Sequence, residues 1–106
     1  MPGIARSAGA DAVNTVHNAV GKDCNVAPTT TATAAGSGDV FVNNIGAVRQ
    51  GDAVASHIYP GCKQHAPGLS GGSGSVFVNG KAVGRLGDSY GCGAKIISAS
   101  GSVFAN

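Results

Sequence analysis

The chain has no tryptophan and no glutamate, and its aromatics number five, two Tyr and three Phe. With so few large side chains and eighteen glycines, the 42% of hydrophobic residues are mostly Ala and Val. That excludes a large aliphatic core, and in a chain of 106 residues each glycine adds backbone entropy that folding must overcome. Charge is equally scarce at 11%, with a net of +2. A basic stripe for nucleic acid is therefore excluded, and so is the highly charged, weakly hydrophobic composition of a disordered chain. Without Glu, the acids are Asp11, Asp23, Asp39, Asp52 and Asp88, most of them beside turn residues. Turn capping suits them better than paired acid/base catalysis. No apolar run is long enough to span a bilayer, and Met1 to Ala10 lacks the apolar stretch of a signal peptide. Ser70 to Gly74 is glycine-rich, but no lysine and helix follow it as a phosphate loop requires, so a flexible turn is expected there.

What the chain does have is repetition. Gly38-Asp39-Val40-Phe41-Val42-Asn43-Asn44 through Asp52 aligns without a gap with Gly74-Ser75-Val76-Phe77-Val78-Asn79-Gly80 through Asp88. A truncated third copy, Gly101-Ser102-Val103-Phe104-Ala105-Asn106, closes the chain, and Ile4-Ala5-Arg6 with Asp11 matches its missing half. The pattern predicts three units, the third assembled from both termini. Within a unit, Val-Phe-Val alternates like a strand and Asn79-Gly80 suits a two-residue type I′ turn, with Asn43-Asn44 a poorer equivalent. Gly51-Asp52 and Gly87-Asp88 mark a second turn. Apolar Ala12, Val13, Val16, Ala19 and Val20 recur at nearly helical spacing, which predicts a short helical turn over residues 11–19. Pro28 to Gly38, small and polar, predicts an extended surface connector or mobile loop.

Three cysteines, Cys24, Cys62 and Cys92, cannot all pair within one chain, and without an export signal they favour thiols or metal ligands over a disulfide framework. The segments after the Asp turns carry His57 and Cys92, and His17 follows Asp11. Three repeat-equivalent positions would converge on one axis, with His65, in the loop between units, the expected fourth ligand of a tetrahedral zinc site; a closed His3Cys shell would have a structural role rather than a catalytic one.

At these residues the chain resembles the PAAR-repeat family, small conical proteins that cap the central spike of type VI secretion systems and contractile phage tails. The resemblance is carried by Ser75 through Asp88, by its copy at residues 39–52, by Gly101-Ser102-Val103-Phe104, and by the opening Met1-Pro2-Gly3-Ile4-Ala5-Arg6. It implies a single, mostly β domain over residues 1–106, a pseudo-threefold cone of short hairpins with a zinc ion near its point. By position it implies His17, His57, His65 and Cys92 as the ligands. The sequence departs from the family where Ser7-Ala8-Gly9-Ala10 separates Arg6 from Asp11, and Cys24 and Cys62 are extra thiols. Either can displace a histidine, Cys62 for His65 being the leading alternative, and zinc and iron both remain open as the metal.

The function implied is non-enzymatic: a metal-stapled point that sharpens a trimeric β-helical spike, one copy per trimer, and breaches an outer membrane. The partner is the spike, with no nucleic acid and no small-molecule substrate. The setting is a virion baseplate, favoured slightly, or a type VI apparatus, the chain being made in a bacterial cytoplasm without a signal peptide. The alternatives are a zinc-binding adaptor that recruits a toxin effector to the spike, and a small metallo- or cysteine hydrolase.

Overall fold

Short apolar pairs between glycine and asparagine turns cannot make long strands, and none forms among the described residues. The computed structural model describes residues 1–15, 30–59 and 63–106. Among these the regular elements are nine strands of two or three residues, and no helix. They are β1 (Ala12–Asn14), β2 (Thr30–Ala32), β3 (Phe41–Val42), β4 (Ile45–Gly46), β5 (His57–Tyr59), β6 (Lys63–His65), β7 (Phe77–Val78), β8 (Lys81–Ala82) and β9 (Lys95–Ile96). The molecule is elongated, 44 × 23 × 22 Å.

The three-unit pattern is the architecture. At one end, β3–β4 and β7–β8 are antiparallel hairpins whose turns, Asn43-Asn44 and Asn79-Gly80, have positive φ at both central residues. Such backbone geometry matches the twist of the flanking strands. The third unit is closed by the two ends of the sequence: Gly3 bridges Phe104, and Ala105 N–H donates to Pro2 O at 3.0 Å.

Above this end the three ascending segments cross at the axis. Ala5 N–H donates to Gly84 O (2.9 Å), Gly84 N–H to Val48 O (2.7 Å) and Val48 N–H to Ala5 O (3.0 Å), a ring of three backbone bonds. Only small side chains fit where three chains meet. Val48 and Ala5 are fully buried, and a Cβ on Gly84 would lie 2.8 Å from Leu69 Cδ2 and 3.2 Å from Val48 Cγ1.

Toward the other end the chain closes into a ring of six segments. Within units Ala12 pairs with Ala32, Ala53 with Gly68 and Ser89 with Lys95; between units Thr33 pairs with Val54, Leu69 with Tyr90 and Ile96 with Val13. Closure leaves no sheet edge in this layer. The ring encloses Val13, Val54, Leu69, Tyr90 and Ile96, while Ile4, Val42, Ala47, Val78, Val83 and Ala105 form a second cluster toward the hairpin end.

Three sequence expectations are corrected. Ala12–Asn14 is strand rather than helix, because Val13 is buried between two partner strands, β2 and β9; residues 16–19 lie outside the described residues. Of the expected connector from Pro28 to Gly38, Pro28 and Thr29 lie outside the described residues, and residues 30–38 are not a connector. Thr30–Ala32 pairs with β1, and Thr33 and Ser37 are buried, because this stretch is the descending arm equivalent to Leu69–Ser73. The Ser70–Gly74 stretch is likewise no flexible turn: Gly72 lies against the Val83 backbone, and Ser73 is buried and hydrogen-bonded.

Candidate functional site

Each ascending segment ends in the same clamp. Arg49 donates its backbone N–H (2.8 Å) and Nε (2.9 Å) to Asp52 Oδ2, and Nη2 to Oδ1 (3.1 Å). Arg85 and Asp88 repeat it at 2.7, 3.0 and 3.0 Å, and Arg6 and Asp11 at 2.6, 3.1 and 2.8 Å. The two extra residues between Arg6 and Asp11 are absorbed by Ala8 and Gly9, both at positive φ, without disturbing the clamp. Fork-to-fork pairing of guanidinium with carboxylate fixes orientation as well as charge. The bonds to aspartate raise the pKa of all three arginines, against a smaller opposing effect of desolvation. The aspartates are therefore turn-fixing groups, as their spacing suggested.

A second threefold set was not apparent from the aligned repeats, although serine precedes Gly38, Gly74 and Gly101 in every copy. Ser37 Oγ accepts the N–H of Asp39 (3.2 Å) and Val40 (2.9 Å); Ser73 Oγ accepts those of Ser75 (3.1 Å) and Val76 (2.9 Å); Ser100 Oγ accepts those of Ser102 (3.2 Å) and Val103 (2.9 Å). Each hydroxyl then reaches another unit: Ser37 shares its hydrogen between Asn79 Oδ1 (2.7 Å) and its own unit's Asp39 Oδ1 (2.9 Å), Ser100 donates to Asn43 Oδ1 (2.7 Å), and Ser73 donates to the backbone oxygen of Asn106. The left-handed turn asparagines thereby lock one unit to the next. Hydrogen bonds from Ser37 and Asn79 also lower the pKa of Asp39.

At the hairpin end the three phenylalanines occupy one repeat position. Phe41, Phe77 and Phe104 are 58%, 59% and 47% exposed, while the following residues Val42, Val78 and Ala105 are buried. Strand alternation sends one side chain in and its neighbour out. Val40 and Val103 add to this exposed apolar rim.

At the opposite end the three hairpins differ. The first runs from β1 to β2, and His17, Cys24 and the rest of residues 16–29 lie outside the described residues. The second runs from Ala53 to Leu69. Ala53 pairs with Gly68 but His57 pairs with His65, so the ascending arm holds one residue more than the descending arm between these pairs. A bulge of this kind reverses the alternation, and the register sets His57 directly opposite His65. His65 is half-buried, and Cys62 lies outside the described residues. The third hairpin turns tightly at Gly91-Cys92-Gly93, with Gly93 N–H donating to Tyr90 O (2.8 Å) and Gly91 N–H reaching across to Gly68 O (3.0 Å). That bond brings the Cys92 turn beside the arm that carries His65, and Cys92 packs against the ring's core. Beneath it the Tyr90 hydroxyl is buried with no hydrogen-bond partner among the described residues. Burial first, and then the charges of Asp52 and Asp11, push its pKa up to about 12.

Of the four ligands expected from sequence, the structure therefore brings His57 and His65 to facing positions and Cys92 to the neighbouring hairpin, and does not describe His17. Among the described residues no group of three His, Cys, Asp or Glu side chains has a metal-holding arrangement. Among them too, no helix is long and apolar enough to cross a membrane.

No curated protein matches the chain in a sequence search. The PAAR motif matches residues 27–98, a span that takes in both complete repeats, the facing histidines and the Cys92 turn. The protein belongs to the PAAR motif family.

Proposed function

We propose that the protein is the tip of a contractile injection machine, a structural part that caps a trimeric β-helical spike and is driven with it through an outer membrane. The observation that carries this reading is the exposed, repeat-equivalent set Phe41, Phe77 and Phe104 at one end of an elongated body whose layers are closed by backbone bonds. A threefold array within one chain lets a single copy satisfy three equivalent contacts on a true trimer. Axial load entering through that end passes into the ring of Ala5, Val48 and Gly84 bonds and the three arginine–aspartate clamps, none of which depends on a thick core.

At the other end the proposed metal ligands are His17, His57, His65 and Cys92. The donor chemistry fits zinc: three imidazoles and a thiolate make a closed tetrahedral shell. Facing register of His57 and His65, with Cys92 on the adjoining hairpin, supports three of the four. When bound, the ion cross-links the hairpins. The residues themselves set where their arms end, and Tyr90, Val54 and Val13 fill the ring below. Elemental analysis of untagged protein is expected to give one zinc per chain, and spectra of the cobalt-substituted protein should show one thiolate ligand that disappears in Cys92→Ala. Mixing with a purified homotrimeric spike is expected to give one copy of this chain per trimer by mass. Three copies per trimer, or a homotrimer of this chain alone, would falsify the tip reading.

A further inference from the structure

The phenylalanines present a puzzle of placement. In a chain whose core is built mostly from Val, Ala and Ile, with Leu69 and Tyr90, all three phenylalanines are left largely exposed to water. Isolated exposed apolar residues need no explanation, but a symmetric set of the bulkiest apolar side chains marks a contact surface.

The neighbours of those phenylalanines do not repeat. Two residues before each Phe stand Asp39, Ser75 and Ser102. On the returning strand the equivalent positions hold Ile45, Lys81 and Pro2. A true threefold partner presents the same surroundings to all three units. A cation placed to attract Asp39 would meet serine at the other two units, and an anion placed to attract Lys81 would meet isoleucine and proline. Such charges on the partner would be desolvated twice without a mate for each time they were paired. Only what repeats can be satisfied three times over, and at this end that is the Phe and the Val that precedes it.

Resting on the tip reading above, we infer that Phe41, Phe77 and Phe104 are interchangeable anchors, and that the partner is the end of a homotrimer offering one apolar socket per subunit within an uncharged rim. The chain seats on it in any of three rotations, with Asp39 and Lys81 left solvated. Specificity lies in shape and spacing, and attachment is insensitive to salt.

The test is calorimetric titration of a purified homotrimeric β-helical spike from the same source with the intact chain and with Phe41→Ala, Phe77→Ala and Phe104→Ala. Because the side chains are exposed, melting temperatures should match wild type. Each variant is expected to weaken Kd by about 10- to 100-fold, the range of a buried aromatic anchor, and the three losses should agree within about twofold. Lys81→Glu should leave Kd unchanged within the same margin. Raising salt from about 50 to 500 mM, which collapses the screening length, should change Kd by less than about threefold. One phenylalanine dominating, no loss in any of the three, or a Kd that weakens tenfold or more with salt overturns the interchangeable anchors while leaving the tip reading standing. Failure of the wild-type chain to bind the trimer overturns both.

Discussion

The two ends of the molecule obey different rules of symmetry. From the phenylalanine rim to the aspartate turns the principal bonds repeat: the serine caps, the axial-ring bonds and the clamps each occur three times with distances that agree within a few tenths of an ångström. Beyond those turns the hairpins diverge, one closing tightly at Cys92, another carrying a bulge, and the first continuing furthest in sequence. The contrast follows from what each end is proposed to meet. A trimer rewards sameness, since any contact made once is made three times. Four ligands cannot be shared equally among three units, so an end that holds one tetrahedral ion would have to break the pattern.

The comparison breaks most visibly if the proposed metal is removed. Replacing Cys92 with Ala, or stripping the ion with a chelator, should lower the melting temperature by more than about 10 °C, because structural zinc supplies folding free energy directly and this chain has little aliphatic core in reserve. Calorimetric melting of the metal-loaded, chelated and Cys92→Ala forms measures it; identical melting for all three would place no structural metal at that end. Cys24→Ala, by contrast, should leave the melting temperature near wild type.

Next in size come the clamps, which sharpen the threefold side of the contrast. The three aspartate side chains are 0%, 7% and 14% exposed in Asp11, Asp52 and Asp88. Removing one partner of a buried pair costs about 3–5 kcal/mol because the other charge is stranded, and the cost falls with solvent access. Urea unfolding should therefore rank the losses Asp11→Ala above Asp52→Ala above Asp88→Ala. An inverted order would show that the extra residues before Asp11 relax that clamp.

Ser37→Ala should cost about 1–2 kcal/mol by urea unfolding, because it removes a turn cap and the hydroxyl's bond to Asn79, whose Oδ1 keeps Arg49 Nη1 as a donor at 3.0 Å. Ser100→Ala, whose partner is Asn43, should match it, and unequal losses would break the threefold equivalence. Smallest of all is Tyr90→Phe. Deleting a buried hydroxyl that has no partner among the described residues removes a desolvation cost, so the variant should be as stable as wild type or up to about 1 kcal/mol more so.

How far these features could be read in advance depended on whether the signal was local. The hairpin turns, the glycine–aspartate turns and the third unit split between both ends were legible because Asn79-Gly80, Gly51-Asp52 and the paired half-repeats carry their own conformational chemistry. Residues 11–19 misled because small apolar residues at near-helical spacing fit either structure, and what decides for strand at Val13 is pairing with Thr31 and Ile96, far off in the sequence. Residues 30–38 look like a connector since polarity alone cannot distinguish a solvated thread from an arm whose Thr33 and Ser37 are buried and bonded. The opposition of His57 and His65 depends on a one-residue bulge, which composition does not announce.

The pairing of Gly3 with Phe104 and of Pro2 with Ala105 has a consequence for how the protein comes into being. The third unit exists only when residues 2–4 meet residues 100–105, whereas β3–β4 and β7–β8 each pair across a turn of two residues. Contacts of such long sequence separation are slow to form. The two local hairpins are therefore expected to take shape first, and the closing of the third unit, which completes the rim, is expected to set the folding rate.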